Sequence, residues 1–318
     1  MTPITINMKQ SLQKNIPGWT GKALAHMQGW FGETEIVNGV AVPKVHRVNR
    51  YLSNDPKVVA AQLDLMQAVG YDGITIDVEG ALVNPFLHSA MIALWEGCLE
   101  HGMLFCLMLD QWIAKGLYNP ALPAPQAAPT AAVIAQLQSA DFQRILESPC
   151  YLPEGYVIEF DLAVDAGVNV AQVQAAVPNN PLLSWHTGFS WPNIPSGQPF
   201  NPQNPANAIA ALAADNAKPT MKVAGVNIFF NDGGNPLPVD VDGPQFAGNR
   251  DYNTSAWGVS TGACRVFDHQ AGNYFFDQLP GIQPTTPYIA LVTWNDHDEQ
   301  SGISEPVLAA YSGIRIGK

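Results

Sequence analysis

Charge is scarce in this chain of 318 residues: Asp, Glu, Lys and Arg make up 13%, against a usual share of about 25%. The shortage is greatest for cations. Fifteen Lys and Arg face 27 Asp and Glu, for a formal net charge of −12. Binding to nucleic acid needs a basic footprint, and so does adhesion to an anionic membrane surface, so the composition excludes both partners. Cysteine is scarce too. Cys98, Cys106, Cys150 and Cys264 form no CxxC pair, which argues against a zinc site. Their apolar neighbours predict buried free thiols. No run reaches the roughly 20 apolar residues of a membrane span. The segment MTPITINMKQSLQKNIPGW lacks the apolar h-region of a secretory signal. The expectation is a soluble protein, placed in the cytoplasm, on a virion, or outside the cell by another route.

Other absences narrow the chemistry. No GxGxxG follows the first strand-like run, which counts against a dinucleotide fold. There is no HxH metal pair, and no lysine stands at a clear strand end to form a Schiff base. An amidohydrolase or aldolase therefore has no support. No internal repeat is visible.

What the chain does have is apolar mass, 47% of residues, with 27 Gly and 26 Pro. Its polar residues are largely Asn, Gln, Ser and Thr, a surface suited to neutral, hydroxyl-rich ligands. Seven strand-like runs recur: KALAHMQ (22–28), GITIDVE (73–79), LFCLML (104–109), YVIEFD (156–161), LLSW (182–185), KVAGVNIFF (222–230) and YIALVTW (288–294). Most follow a helix-like stretch. The clearest is DPKVVAAQLDLMQAVG, with Asp55 as N-cap, Pro56 at the first helical position, Gly70 as C-cap and an apolar face of Val58, Leu63, Leu65, Met66 and Val69. Strands that are nearly continuous apolar runs suit a parallel sheet buried on both faces. Alternation with helices makes the fold α/β, and the number of units predicts a single (β/α)8 TIM barrel over residues 1–318, with 1–20 as an N-terminal extension. The eighth strand falls in ACRVFD (263–268) or YSGIRI (311–316). The Pro-rich stretches 119–130 and 190–205 read as long surface loops.

Barrel enzymes carry their chemistry at the C-terminal ends of the strands. Those positions hold His26, Gln28 and Trp30, then Asp77 and Glu79, then Asp110, Gln111 and Trp112. Further along come Glu159 and Asp161, then Trp185, His186 and Trp191, then Asn231 and Asp232. The last run ends in Trp294, Asn295, Asp296, His297 and Glu299. Carboxylates beside indoles are what sugar chemistry requires. One acid protonates the leaving oxygen, a second carboxylate acts as base or nucleophile, and flat aromatic faces stack on sugar rings. Plainer roles compete for each residue: a buried core histidine for His26, a cap for Asp77, Asp110 or Asp161, and core packing for any tryptophan. The cluster that best resists such a reading sets Asp296, Asp298 and Glu299 within four residues, because close like charges raise one another's pKa. On a tight or helical turn Asp296 and Glu299 share a face.

The segment WNDHDEQSGISEP resembles the W-N-[DE]-x-x-E-G-T-x-I-E-P motif of glycoside hydrolase family 99 and the W-N-D-[YF]-G-E segment of family 71, the fungal α-1,3-glucanases. KALAHMQGWFG, YLSNDPKVVAAQLDLMQAVGYDGITIDVEG, HGMLFCLMLD and the passage from NYFFDQL to YIALVTWND resemble further units of the same families. The resemblance implies hydrolysis of an α-linked oligo- or polysaccharide without metal or cofactor, with Asp296 and Glu299 as the two carboxylates. The glucanase relatives invert; the mannosidase relatives retain, through a route assisted by the sugar 2-hydroxyl. The expected substrate contacts are His26, Gln28, Trp30, Asp77, Glu79, Asp110, Trp112, His186, Trp191, Asp232, Trp294, Asn295, His297 and Glu305. This chain departs from the motif in three ways: Glu299 to Pro306 is one residue longer, His297 replaces an aromatic, and Asp296 stands where the mannosidases carry Glu. Two readings follow, an endo-acting glycoside hydrolase and a catalytically inactive carbohydrate-binding barrel, such as a component of a virion or other surface assembly.

Overall fold

The computed structural model of the chain describes residues 7–32, 34–37, 40–43, 51–78, 84–109, 129–152, 156–159, 169–176, 183–186, 213, 223–227, 230–231, 266–267, 273–292 and 294–295. Its centre is a parallel sheet of β1 (Lys22–Gln28), β4 (Gly73–Val78), β5 (Leu104–Leu109), β6 (Tyr156–Glu159), β7 (Leu183–His186), β8 (Val223–Asn227) and β11 (Tyr288–Val292). Each pairs with the next in chain order, and β11 pairs with β1, so the pairings return to their start. All seven overlap the apolar runs. The expected eighth strand is not among the described residues. Val266–Phe267 (β10) instead pairs antiparallel with Phe230–Asn231 (β9), outside the parallel sheet, and residues 311–316 lie outside the described part. A second short hairpin, β2 (Thr34–Val37) with β3 (Val40–Pro43), follows β1.

Successive side chains of a strand point to opposite faces, and the buried residues separate accordingly into two groups. Ala23, Ala25 and Met27, Ile74 and Ile76, Phe105 and Leu107, Ala224 and Val226, and Ile289 and Leu291 share one core with the helices. Leu24, Cys106, Met108, Val223, Tyr288 and Ala290 form a second cluster on the opposite face of the same strands. The sheet is therefore buried on both faces, by helices on one side and by the second cluster on the other, which is why its strands read as unbroken apolar runs.

Helix α2 (Pro56–Ala68) begins as the sequence predicts: the Asp55 carboxylate accepts from the Lys57 N–H and Pro56 occupies the first turn. Its buried face is Val59, Gln62, Leu63, Leu65 and Met66, with Val69 just beyond; four of the five expected residues are buried, and only Val58 is half-buried, with Val59 in its place. Gly70, expected as the C-cap, follows the actual cap, Val69, and has φ of 91°. Helix α3 (Pro85–His101) is capped by the Asn84 side chain, which accepts from two N–H groups, and ends on Gly102 at φ of 63°, a left-handed cap. The stretch 131–148 is two helices, Pro129–Leu137 and Ala140–Leu146, with Ser139 as N-cap of the second. The Pro-rich stretch expected as loop to residue 130 thus already turns helical at Pro129.

Within the N-terminal extension, helix α1 (Met8–Asn15) lies on the core: Leu12, Ile16 and Trp19 are buried. Trp19 Nε1 donates to the Thr286 carbonyl at 2.8 Å. Asp72 ties this end of the sheet together, accepting from Lys9 Nζ at 2.8 Å, Lys22 Nζ at 3.3 Å and the Ala23 N–H at 2.9 Å. Cys98, Cys106 and Cys150 are buried free thiols, as expected; burial pushes the Cys98 thiol well above its ordinary pKa, and the neighbouring Cys150 adds to this. Cys264 lies outside the described residues. Gly73 opens β4 because the wall is tight there: a Cβ would overlap the Leu104 carbonyl oxygen across the ladder. Gly73→Ala is expected to lower stability by roughly 1–3 kcal/mol through overpacking, measured by urea denaturation. An unchanged midpoint would show that the β4–β5 ladder has room to spread.

Candidate active site at the strand ends

The face carrying Leu24 also carries His26 and Gln28 on β1, and by the same alternation Thr75 and Asp77 on β4. The register pairs His26 with Thr75 and Gln28 with Asp77. The interior is thus apolar at the strand starts, with Leu24, Val223 and Tyr288, and polar at the C-terminal ends. His26 and Thr75 are wholly buried, Gln28 is 3% exposed and Asp77 8%. Buried polar groups normally have partners, yet the Gln28 side-chain carbonyl oxygen has none among the described residues. A neutral acceptor next to a carboxylate, both facing the C-terminal end of a parallel sheet, can take hydroxyl donors.

The exit of β11 is built differently from what its sequence suggests. A ladder continuing the register Ala25 to Leu291 would bond the His26 carbonyl to the N–H of position 293. The donor is instead the Trp294 N–H, at 2.6 Å. One extra residue therefore lies on this side, the count of a β-bulge, which reverses which face the following side chain meets. Trp294 consequently joins the core shared with the helices. It has no exposed surface and stands edge-on to Tyr71, with centroids 5.8 Å apart and planes at 87°. Expected as a sugar platform, its indole has no open face to offer. Trp30 is 7% exposed and packs edge-on to Phe31 at 6.3 Å.

Asn295 completes the exit. Its Oδ1 accepts from the Gln28 N–H at 2.8 Å, and its Nδ2 donates to the Gln28 carbonyl at 2.9 Å and to the Tyr51 hydroxyl at 2.9 Å. The side-chain amide occupies the place of the next peptide in the ladder. Tyr51 packs edge-on to Phe31 at 5.4 Å. Burial raises its pKa, with hydrogen bonds to Asn295 and Gln62 opposing in part, so the phenol stays protonated. Tyr51 and the amide pairing of Asn295 with Gln28 were missed from the sequence; the one available signal was Asn directly after a strand, where an amide side chain can substitute for a peptide.

The structure thus brings together His26, Gln28, Asp77 and Asn295, while Trp30 and Trp294 belong to the core shared with the helices. His186 ends β7, and only its backbone is described. Glu79, Asp110, Trp112, Trp191, Asp232, Asp296, His297, Glu299 and Glu305 lie outside the described residues. Among the described residues no group of His, Cys, Asp and Glu could hold a metal ion, and no helix is long and apolar enough to cross a membrane.

No family model matches the sequence, and no curated protein does. Solved structures do. The GH99 endo-alpha-mannosidase from Bacteroides thetaiotaomicron is 12% identical, over 90% of this chain and 88% of that one, with a TM-score of 0.50. The fold is GH99-like. A structure of that enzyme with bis-tris-propane (13% identity, 90% and 87% covered, TM-score 0.47) and a glycoside hydrolase-like protein (8%, 90% and 87%, TM-score 0.49) are also similar. At these identities the likeness is one of fold.

Proposed function

We propose that this chain is a glycoside hydrolase that cleaves an α-linked oligo- or polysaccharide from within, using Asp296 and Glu299 as its two carboxylates. The observation that carries the proposal is the buried polar group of His26, Gln28 and Asp77 at the C-terminal strand ends, next to the point where Asn295 hands the chain on to Asp296. A GH99-like α/β fold supports it, because such barrels place their chemistry at that end. In this reading Glu299 is the general acid and Asp296 the base or nucleophile. Carboxyl groups about 5–5.5 Å apart act by direct attack, and groups roughly 6.5–9.5 Å apart admit a water and invert. Gln28 and Asp77 take sugar hydroxyls from within the sheet, with His26 beneath them. Glu79, Asp110, Trp112, His186, Trp191, Asp232, His297 and Glu305 surround the sugar from the strand ends and loops. The aspartate at 296 brings the chemistry nearer the inverting family 71 type than the mannosidase route.

A second reading is an inactive barrel that only binds a glycan. It is favoured by the extra residue between Glu299 and Pro306 and by His297 in place of an aromatic. Reducing-sugar release from α-glucans, α-mannans and bacterial surface polysaccharides separates the two. Hydrolysis of at least one polymer by the wild type, absent in Asp296→Asn and Glu299→Gln, is expected. Retained binding with no release on any polymer would establish the second reading instead.

A further inference from the structure

We infer that Asn295 is a positioning residue, fixing on β1 through its side-chain amide the point from which the acidic segment starts, and not a contact to the sugar. The inference rests on the proposed function and deepens it. The main chain leaves the β1–β11 ladder at Trp294, one residue late. Without a substitute, both the N–H and the C=O of Gln28 would be left unpaired on this side. The Asn295 amide meets both, at 2.8 and 2.9 Å. Its second N–H is taken by the Tyr51 hydroxyl at 2.9 Å. An asparagine side chain has two donors and one carbonyl acceptor, so both donors are committed to the protein, and the residue is 1% exposed. Little remains for a sugar hydroxyl. What the amide can do is fix where the next residue begins. Asp296 follows directly, and Gln28, whose backbone is held by the same amide, stands in register with Asp77. One side chain therefore fixes Asn295, from which Asp296 follows in the chain, against the strand pair that carries Gln28 and Asp77. The same bonds explain why Tyr51, 244 positions away in the chain, belongs to this end of the sheet: its hydroxyl accepts the third hydrogen bond of a single amide, and its ring packs on Phe31.

The test uses the full chain with Asn295→Ala, Asn295→Asp and Tyr51→Phe, each checked for a cooperative thermal transition. Two readouts are taken. The first is kinetics on whichever polymer the wild type cleaves. A displacement of reacting groups by about 1 Å costs on the order of 10²-fold in rate, so kcat is expected to fall about 100-fold in Asn295→Ala, with KM nearly unchanged. Asn295→Asp retains the acceptor for the Gln28 N–H but loses both amide donors and sets a carboxylate oxygen against the Gln28 carbonyl, so it should fall about as far as Asn295→Ala; Tyr51→Phe removes one anchor of three and should fall less. A rise in KM with kcat intact would mean that Asn295 touches sugar, and would overturn the inference. The second readout is hydrogen exchange in peptides spanning 26–30 and 290–300, which needs no activity. Protection is expected to drop in both peptides together in Asn295→Ala, and by a smaller step in Tyr51→Phe. Unchanged protection in all three variants would overturn the anchor itself. Wild type inert on every polymer, with exchange coupled as described, would end the hydrolase proposal and keep the anchor.

Discussion

Glu299→Gln is expected to reduce turnover by about 10²–10⁴-fold, the usual contribution of a positioned general acid or base. The substitution keeps size and the ability to hydrogen-bond and removes the ionisable carboxyl group, so binding of the glycan should persist. If Glu299 is the acid, the loss has a particular form. Protonation matters most when the departing oxygen is basic, as in a polysaccharide. An aryl glycoside with a nitrophenolate leaving group departs without help, so the same variant should cleave it with a much smaller deficit. The pH profile should change as well. A general acid works only while protonated, so its ionisation makes the rate fall as pH rises; in Glu299→Gln that alkaline limb should vanish. Asp296→Asn should lose activity on both kinds of substrate and lose the acid limb instead. Equal losses on polymer and aryl glycoside in Glu299→Gln would reverse the two roles. Wild-type rates in both variants would remove the pair from the mechanism.

The parts of this fold that were legible in the sequence are those dominated by burial on two faces. KALAHMQ, GITIDV, LFCLML and YIALV read as strands because neither face meets water, and all four are strands. Helix α2 was legible through its start, where Asp55 and Pro56 leave few alternatives, and through Leu63, Leu65 and Met66 of its face; only Val58 was misread, because Val58 and Val59 offer the same hydrophobicity. The run KVAGVNIFF changes partner along its length: Val223–Asn227 pairs with β11, and Phe230–Asn231 pairs with β10. Nothing in an apolar run marks a change of partner. The polar interior was legible residue by residue, since His26, Gln28 and Asp77 alternate with apolar neighbours, and all three are buried at the expected end. What could not be read was the bulge after β11. A period of two carried on from Tyr288 and Ala290 puts Trp294 on the interior face. A single additional residue, detectable only through which N–H reaches the His26 carbonyl, moves it to the other.

That reversal makes Trp294→Ala the most informative change outside the acid pair. Its indole is fully enclosed, stands against Tyr71 and shares a core with Tyr71 and Met27. Truncating a buried aromatic to alanine costs about 3–5 kcal/mol, from lost transfer energy and the cavity left behind. Against a total stability of about 5–15 kcal/mol for a typical domain, that is a large fraction. Denaturant unfolding should show the midpoint moving sharply down, while the protein that remains folded should act on any polymer the wild type cleaves with a KM close to wild type. Trp294→Phe should recover much of the stability, because a ring is kept where a ring packs. A tryptophan that stacked on sugar would behave in the opposite way, with a small stability loss and a KM raised severalfold. The two outcomes separate cleanly because the bulge permits only one of them: an indole turned toward the helices cannot also line the interior with Gln28 and Asp77.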